Sequence, residues 1–111
     1  LKDVGGAMDE IVVYVTASNE DEAVGIAKAL VENKIAGCVN IIKDIRSIYS
    51  WQGNIEDEKE VLMVIKTRKS LFNTLIEEVK KLHSYTVPEI IALPIIEGSE
   101  DYLKWLKEVT V

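Results

Sequence analysis

Side chains able to do chemistry are few in this chain, and their spacing narrows what they can do. His83 is the single histidine and Cys38 the single cysteine. As the sole imidazole, His83 is the best single ligand for a soft divalent metal. Its place at the end of a helical pattern equally fits a helix-end histidine, where the helix dipole favours a cation. Cys38 opens an apolar run and reads first as a small buried hydrophobe, with a metal-binding or redox thiol as the other reading. Glu56, Glu58 and Glu60 alternate, so a strand sets all three carboxylates on one face. Such a row commonly serves as a solvated guard against edge pairing. Several copies of it, brought together by oligomerisation, could instead hold a divalent cation weakly through hard oxygen ligands. Lys66 ends a dry run and needs a partner. Glu89, just after Pro88, is the candidate, either as an ion pair across a subunit interface or within an anion-binding cleft. Tyr49, Trp51, Tyr85, Tyr102 and Trp105 read as core or interface aromatics.

No nucleophile elbow, phosphate-binding loop, HExxH or CxxC pair occurs. The expectation is a protein without catalysis and without a required cofactor, with copper or zinc as the metals a site would take. The 111 residues carry 13 basic and 19 acidic side chains, a formal charge of −6. That balance argues against nucleic acid as a partner, because such binding rests on Lys and Arg neutralising phosphates. No long apolar run or basic amphipathic helix suggests membrane insertion. The first apolar block, Ile11 to Val15, is too short for a signal sequence. A lone cysteine fits a reducing, cytoplasmic setting. Residues 1–7 (LKDVGGA) are expected to be a tag remnant or a disordered extension, with a single domain over residues 8–111.

These residues must be positioned by a short series of elements. The β-branched run Ile11–Thr16 predicts a strand buried on both faces. Asn19 and Glu22 are spaced as a capping box, opening a helix over 20–33 with Asn33 as its left-handed C-cap. Cys38–Trp51 predicts a second strand, bulged at Lys43-Asp44, and Gly53-Asn54 supply the turn into a third. Ser70 caps a second helix carrying Leu71, Phe72, Leu75, Ile76, Val79 and Leu82, and Ile90–Ile96 predicts a fourth strand made an edge by Pro94. Ser99 caps a last helix whose stripe is Tyr102, Leu103, Leu106 and Val109. The order β-α-β-β-α-β-α is that of a split βαβ, ferredoxin-like α+β sandwich with an extended hairpin of its second and third strands and a C-terminal helix. Two helices cover one sheet face, while the strands are apolar on both. The other face would then expose a patch beyond what monomers tolerate, which predicts oligomerisation through the open sheet face.

The ordered set Ala36-Gly-Cys38-Val-Asn40, Ser47-Ile-Tyr49-Ser-Trp51-Gln-Gly53, Glu60, Val64-Ile-Lys66-Thr67, His83-Ser-Tyr85-Thr-Val-Pro88-Glu89-Ile and Tyr102-Leu-Lys-Trp105 closely resembles the CutA divalent-cation-tolerance family. The resemblance runs from Ile11 to the C-terminus. It implies a ferredoxin-like subunit in a PII-like homotrimer, a role in the response to metal ions, and binding of copper or other divalent cations. A PII-like sensor of a small anionic ligand, or a protein-interaction scaffold, is the alternative it allows. Copper-binding bacterial members carry a cysteine before the threonine ending the first strand, and a histidine pair later. The corresponding positions here hold Val15, Leu82 and His83, so one of those three ligands is present. The better-matched inter-subunit cleft residues are Lys66, Tyr85, Glu89 and Trp51.

Overall fold

The computed structural model describes residues 9–111, so the expectation for residues 1–7 lies outside the described residues. The elements are β1 (Glu10–Ala17), α1 (Glu20–Glu32), β2 (Cys38–Trp51), β3 (Asn54–Arg68), a 3-10 turn (Lys69–Leu71), α2 (Phe72–Leu82), β4 (Ile90–Pro94) and α3 (Glu100–Glu108). One antiparallel sheet is formed in the order β2-β3-β1-β4, the arrangement expected of a split βαβ sandwich. Alternation sorts its faces. Val13, Val15 and Ala17 of β1 lie opposite Ile65, Met63 and Val61 of β3, and all point into the core. Ala23, Ile26, Ala27 and Leu30 of α1 and Leu75 and Val79 of α2 close over that face.

Local chemistry explains most element ends, with four departures from expectation. The Asn19 side chain accepts a bond from Glu22 N at 2.8 Å. Glu22, however, reaches one residue further back than a capping box requires, accepting from the Ser18 backbone N (3.1 Å) and hydroxyl (2.9 Å). At the other end Asn33 has φ −90°, and the left-handed position passes to Lys34 at φ 60°. There Asn33 donates its side-chain amide to Ala29 O at 2.9 Å, capping the helix by side chain instead of by backbone conformation. Ser70 does not cap α2. It sits inside the 3-10 turn, and the helix begins at Phe72 without a side-chain cap. Finally β4 ends at Pro94, short of Ile96, with one further bond to β1 from Ile95 N to Glu10 O at 3.0 Å.

The expected bulge in β2 is present. Pairing jumps between Ile42 (opposite Leu62) and Ile45 (opposite Glu60), with Asp44 at φ 61°. Beyond it the hairpin runs as a two-stranded arm to a turn whose left-handed residues are Gln52 (φ 51°) and Gly53 (φ 85°), one position earlier than Gly53-Asn54. Arg46 grips Asp57 across the arm through two bonds of 2.8 and 2.7 Å. That pairing raises the Arg46 guanidinium pKa and lowers that of the Asp57 carboxyl.

The second sheet face is only partly covered. α3 crosses its end at Glu10 and Arg68, held by Arg68 Nε donating to Thr110 Oγ1 at 2.9 Å and by Lys107 Nζ at 3.5 Å from the buried Glu10 carboxylate. Ser99 Oγ caps the helix by accepting from Tyr102 N at 3.3 Å. Of the expected stripe only Leu106 is fully buried, and Tyr102 is 40 % exposed. α3 therefore lies at the rim of the sheet and leaves Ile42 (47 % exposed), Ile91 (50 %) and Leu93 (45 %) open, as the patterning predicted.

Its closest seat is Gly37, where an added Cβ would fall 2.5 Å from Leu106 Cδ1 and 3.1 Å from Val109 Cγ2. Gly37→Ala is therefore expected to lower stability by about 1–3 kcal/mol through overpacking. Thermal denaturation checks this, and an unchanged melting temperature would show that α3 is not seated there.

Candidate functional site

The arm's bulge decides which side chains meet. On β2 before the bulge, Cys38, Asn40 and Ile42 oppose Lys66, Val64 and Leu62, on the open sheet face. After it, Ile45, Ser47, Tyr49 and Trp51 oppose Glu60, Glu58, Glu56 and Asn54. The extra residue thus switches β2 from even to odd numbers on that face and gathers the arm's aromatics beside its carboxylates. Tyr49 donates its hydroxyl to Glu58 Oε1 at 2.7 Å. The bond to Glu58, burial and the neighbouring carboxylates push the Tyr49 phenol up to about 12.

Facing the arm is the loop after α2, tied down by a chain of polar bonds. His83 Nε2 lies 2.7 Å from Thr16 O, and Nδ1 accepts from Tyr85 N at 3.0 Å. These two contacts assign the Nε2–H tautomer, with the Thr16 carbonyl as its acceptor. Glu22 Oε2 accepts from Ser84 N at 2.6 Å. Tyr85 then donates its hydroxyl to Glu60 Oε2 at 2.6 Å, joining the loop to the root of the arm. Burial, followed by that bond to Glu60, raises the Tyr85 phenol above its ordinary value. Between arm and loop lies a cavity of about 660 Å³, walled by Trp51, Tyr49, Glu60, Tyr85, Glu89 and the small side chains Thr16, Ser47, Ser84 and Thr86.

Of the residues singled out from sequence, Trp51, Tyr85, Glu89 and Glu60 come together at this cavity. Glu56 and Glu58 continue the row toward the arm's tip. Lys66 does not line the cavity: it lies six residues from Glu60 on β3, ~20 Å along the strand, and its amine donates to Asn40 Oδ1. Cys38, opposite Lys66, is half-buried near Tyr102, whose phenol is raised by burial and by that thiol. His83 stands behind the cavity with both ring nitrogens engaged. Among the described residues, no group of three or more His, Cys, Asp or Glu side chains is placed to hold a metal ion. Cavity residues missed from sequence include Thr16 and Ser47. The Ser47 parity was readable only by carrying the bulge at Lys43-Asp44 through the rest of the strand.

Residues 11–109 match the family described as CutA1 divalent ion tolerance protein. The chain belongs to this family. It is 52 % identical over 101 residues to the divalent-cation tolerance protein CutA of Thermus thermophilus, covering 91 % of this chain and 98 % of the relative. It is 49 % identical to the chloroplastic CutA of Arabidopsis thaliana, across 90 % of this chain. Human CutA is 50 % identical across 87 % of it. The chain spans about half the length of these plant and human relatives, at 55 and 54 %. Among solved structures, the Thermus thermophilus protein superposes with a TM-score of 0.90, at 52 % identity over 92 % of this chain and 99 % of that one. CutA1 from Oryza sativa gives 0.91 at 46 % identity, over 94 and 95 %. The ferredoxin-like fold and the sequence resemblance both stand.

The loop's clasp is testable through pH. Burial alone would raise the Glu22 carboxyl, but the bonds from Ser84 and Ser18 outweigh it and hold the pKa below the ordinary value. A carboxylate depressed in the folded state stabilises above the unfolded pKa of about 4.3, and the effect fades as pH falls through its lower folded value. Glu22→Gln should therefore cost roughly 1–3 kcal/mol near neutral pH and progressively less in acid. Chemical denaturation across pH checks this; a pH-independent deficit would contradict it.

Proposed function

We propose that this chain serves divalent-cation tolerance as a non-catalytic homotrimer that binds cations weakly through carboxylates shared between copies. The observation that carries this is the common face. Glu56, Glu58 and Glu60 lie on the same side of the sheet as the uncovered Ile42, Ile91 and Leu93. Covering the apolar part with another copy draws carboxylate rows together, supplying the oxygen donors one chain lacks. Three copies are what the family resemblance implies, and the open face supplies the physical reason for association.

Membership of a family described by divalent ion tolerance supports the role. Separation of the thiol from the imidazole supports the absence of catalysis. Cys38 pairs with Lys66 whereas His83 bonds to Thr16, which lies opposite Leu62, roughly 13 Å away along β3. A cytoplasmic setting fits the lone cysteine. Among the described residues, no helix is long and apolar enough to cross a membrane. Relatives bear names spanning chloroplastic and periplasmic proteins.

Copper and zinc titrations followed by calorimetry test the binding. The expected dissociation constant is ~0.1–1 mM, as for sites built from few oxygen ligands. Binding should be lost in a Glu56→Gln, Glu58→Gln double variant and kept in His83→Ala. The opposite pattern would make His83 the ligand and overturn the carboxylate reading. For assembly, light scattering should report a trimer for the parent chain and a smaller species for Ile91→Glu. An Ile91→Glu trimer would remove the open face from the interface.

A further inference from the structure

We propose that the cavity between the arm and the loop after α2 binds a small organic ammonium ion, beyond any metal held by the carboxylate row. Within one subunit, and among the described residues, its wall carries Glu60 and Glu89 but no Lys, Arg or His, so the field this chain supplies there favours cations over anions. At about 660 Å³ it has the size of a small-molecule pocket, far beyond what a bare metal ion and its ligands fill. Glu60 is only 6 % exposed. Its Oε2 accepts from Tyr85, while Oε1, without a donor among the described residues, stays accessible to a ligand in the cavity wall. Trp51, Tyr49 and Tyr85 stand in the same wall. Aromatic faces attract alkylammonium groups through the ring quadrupole, most strongly where water is excluded. Buried carboxylate, second carboxylate and aromatic wall together match a positively charged nitrogen carrying apolar substituents.

Choline chloride and its uncharged carbon isostere, 3,3-dimethylbutan-1-ol, are the probes, each titrated calorimetrically into the assembled full chain. Choline should bind saturably and the isostere at least about tenfold more weakly. Trp51→Leu and Glu89→Gln should each weaken choline by about three- to thirtyfold. Glu89 is exposed, so its amide variant leaves folding intact, which far-UV circular dichroism verifies. Equal binding of the two probes, no saturable binding of choline, or unchanged affinity in both variants overturns the proposal. Because assembly and zinc binding are read separately, a parent trimer that binds zinc but no choline overturns this inference alone.

Discussion

One extra residue in the second strand governs what this protein can present. Without the bulge at Lys43-Asp44, Ile48 would share a face with the glutamate row and Tyr49 and Trp51 would turn away from it. With it, the arm keeps its pairing to Glu56–Glu60 while exchanging the side chains on that face. A register change of one residue inverts every side chain beyond it, so a local irregularity sets the chemistry of a whole arm. Asp44 suits the position, because Asp tolerates the left-handed backbone that β-branched neighbours resist. The bulge also divides the arm's labour: the proximal part closes the subunit core, and the distal part supplies the wall of the cavity.

The opposite wall depends on a polar relay instead of apolar packing. Glu22, fixed by the start of α1, holds Ser84; His83, bonded to the end of β1, holds Tyr85; Tyr85 reaches Glu60. Each member satisfies a group that would otherwise be costly to bury. The sole histidine is thereby used in positioning, with its donor on a carbonyl and its acceptor on a backbone N–H. Such a histidine shapes the cavity from behind, and the oxygen donors in front set its charge.

Much of the fold was legible in the sequence because the unbroken β-branched run of β1 and the 3.6-residue period of α1 and α2 were clear, and because Ser99, Asn19 and Pro94 act locally. The apolar second face was legible too, since Val12, Tyr14, Leu62 and Val64 interleave with the core positions. Less was legible where choice between partners is tertiary. Within the subunit Lys66 finds an acceptor that sequence did not name, Asn40 on the neighbouring strand, whereas the pairing with Glu89 expected across an interface involves a second copy. Asn33 and Lys34 compete for one left-handed position, and propensity alone chose the wrong residue. Tyr102 and Trp105 look like core residues on a helical stripe, yet α3 sits at the rim of the sheet and leaves both substantially exposed. The cavity was half legible: Trp51, Tyr85 and Glu89 could be named, while Ser47 and Thr16 required knowing the register.

The central claim is that register, and disulfide trapping measures it directly. Residues opposite one another in an antiparallel pair have Cα atoms about 4.5–5.5 Å apart, within the span of a disulfide. In a Cys38→Ser background, Ser47→Cys with Glu58→Cys should oxidise readily to an intrachain bond, because the bulge sets them opposite. Ser47→Cys with Asp57→Cys, the pair an unbulged ladder would align, should not. Ready oxidation of the second pair with failure of the first would contradict the register on which the cavity rests.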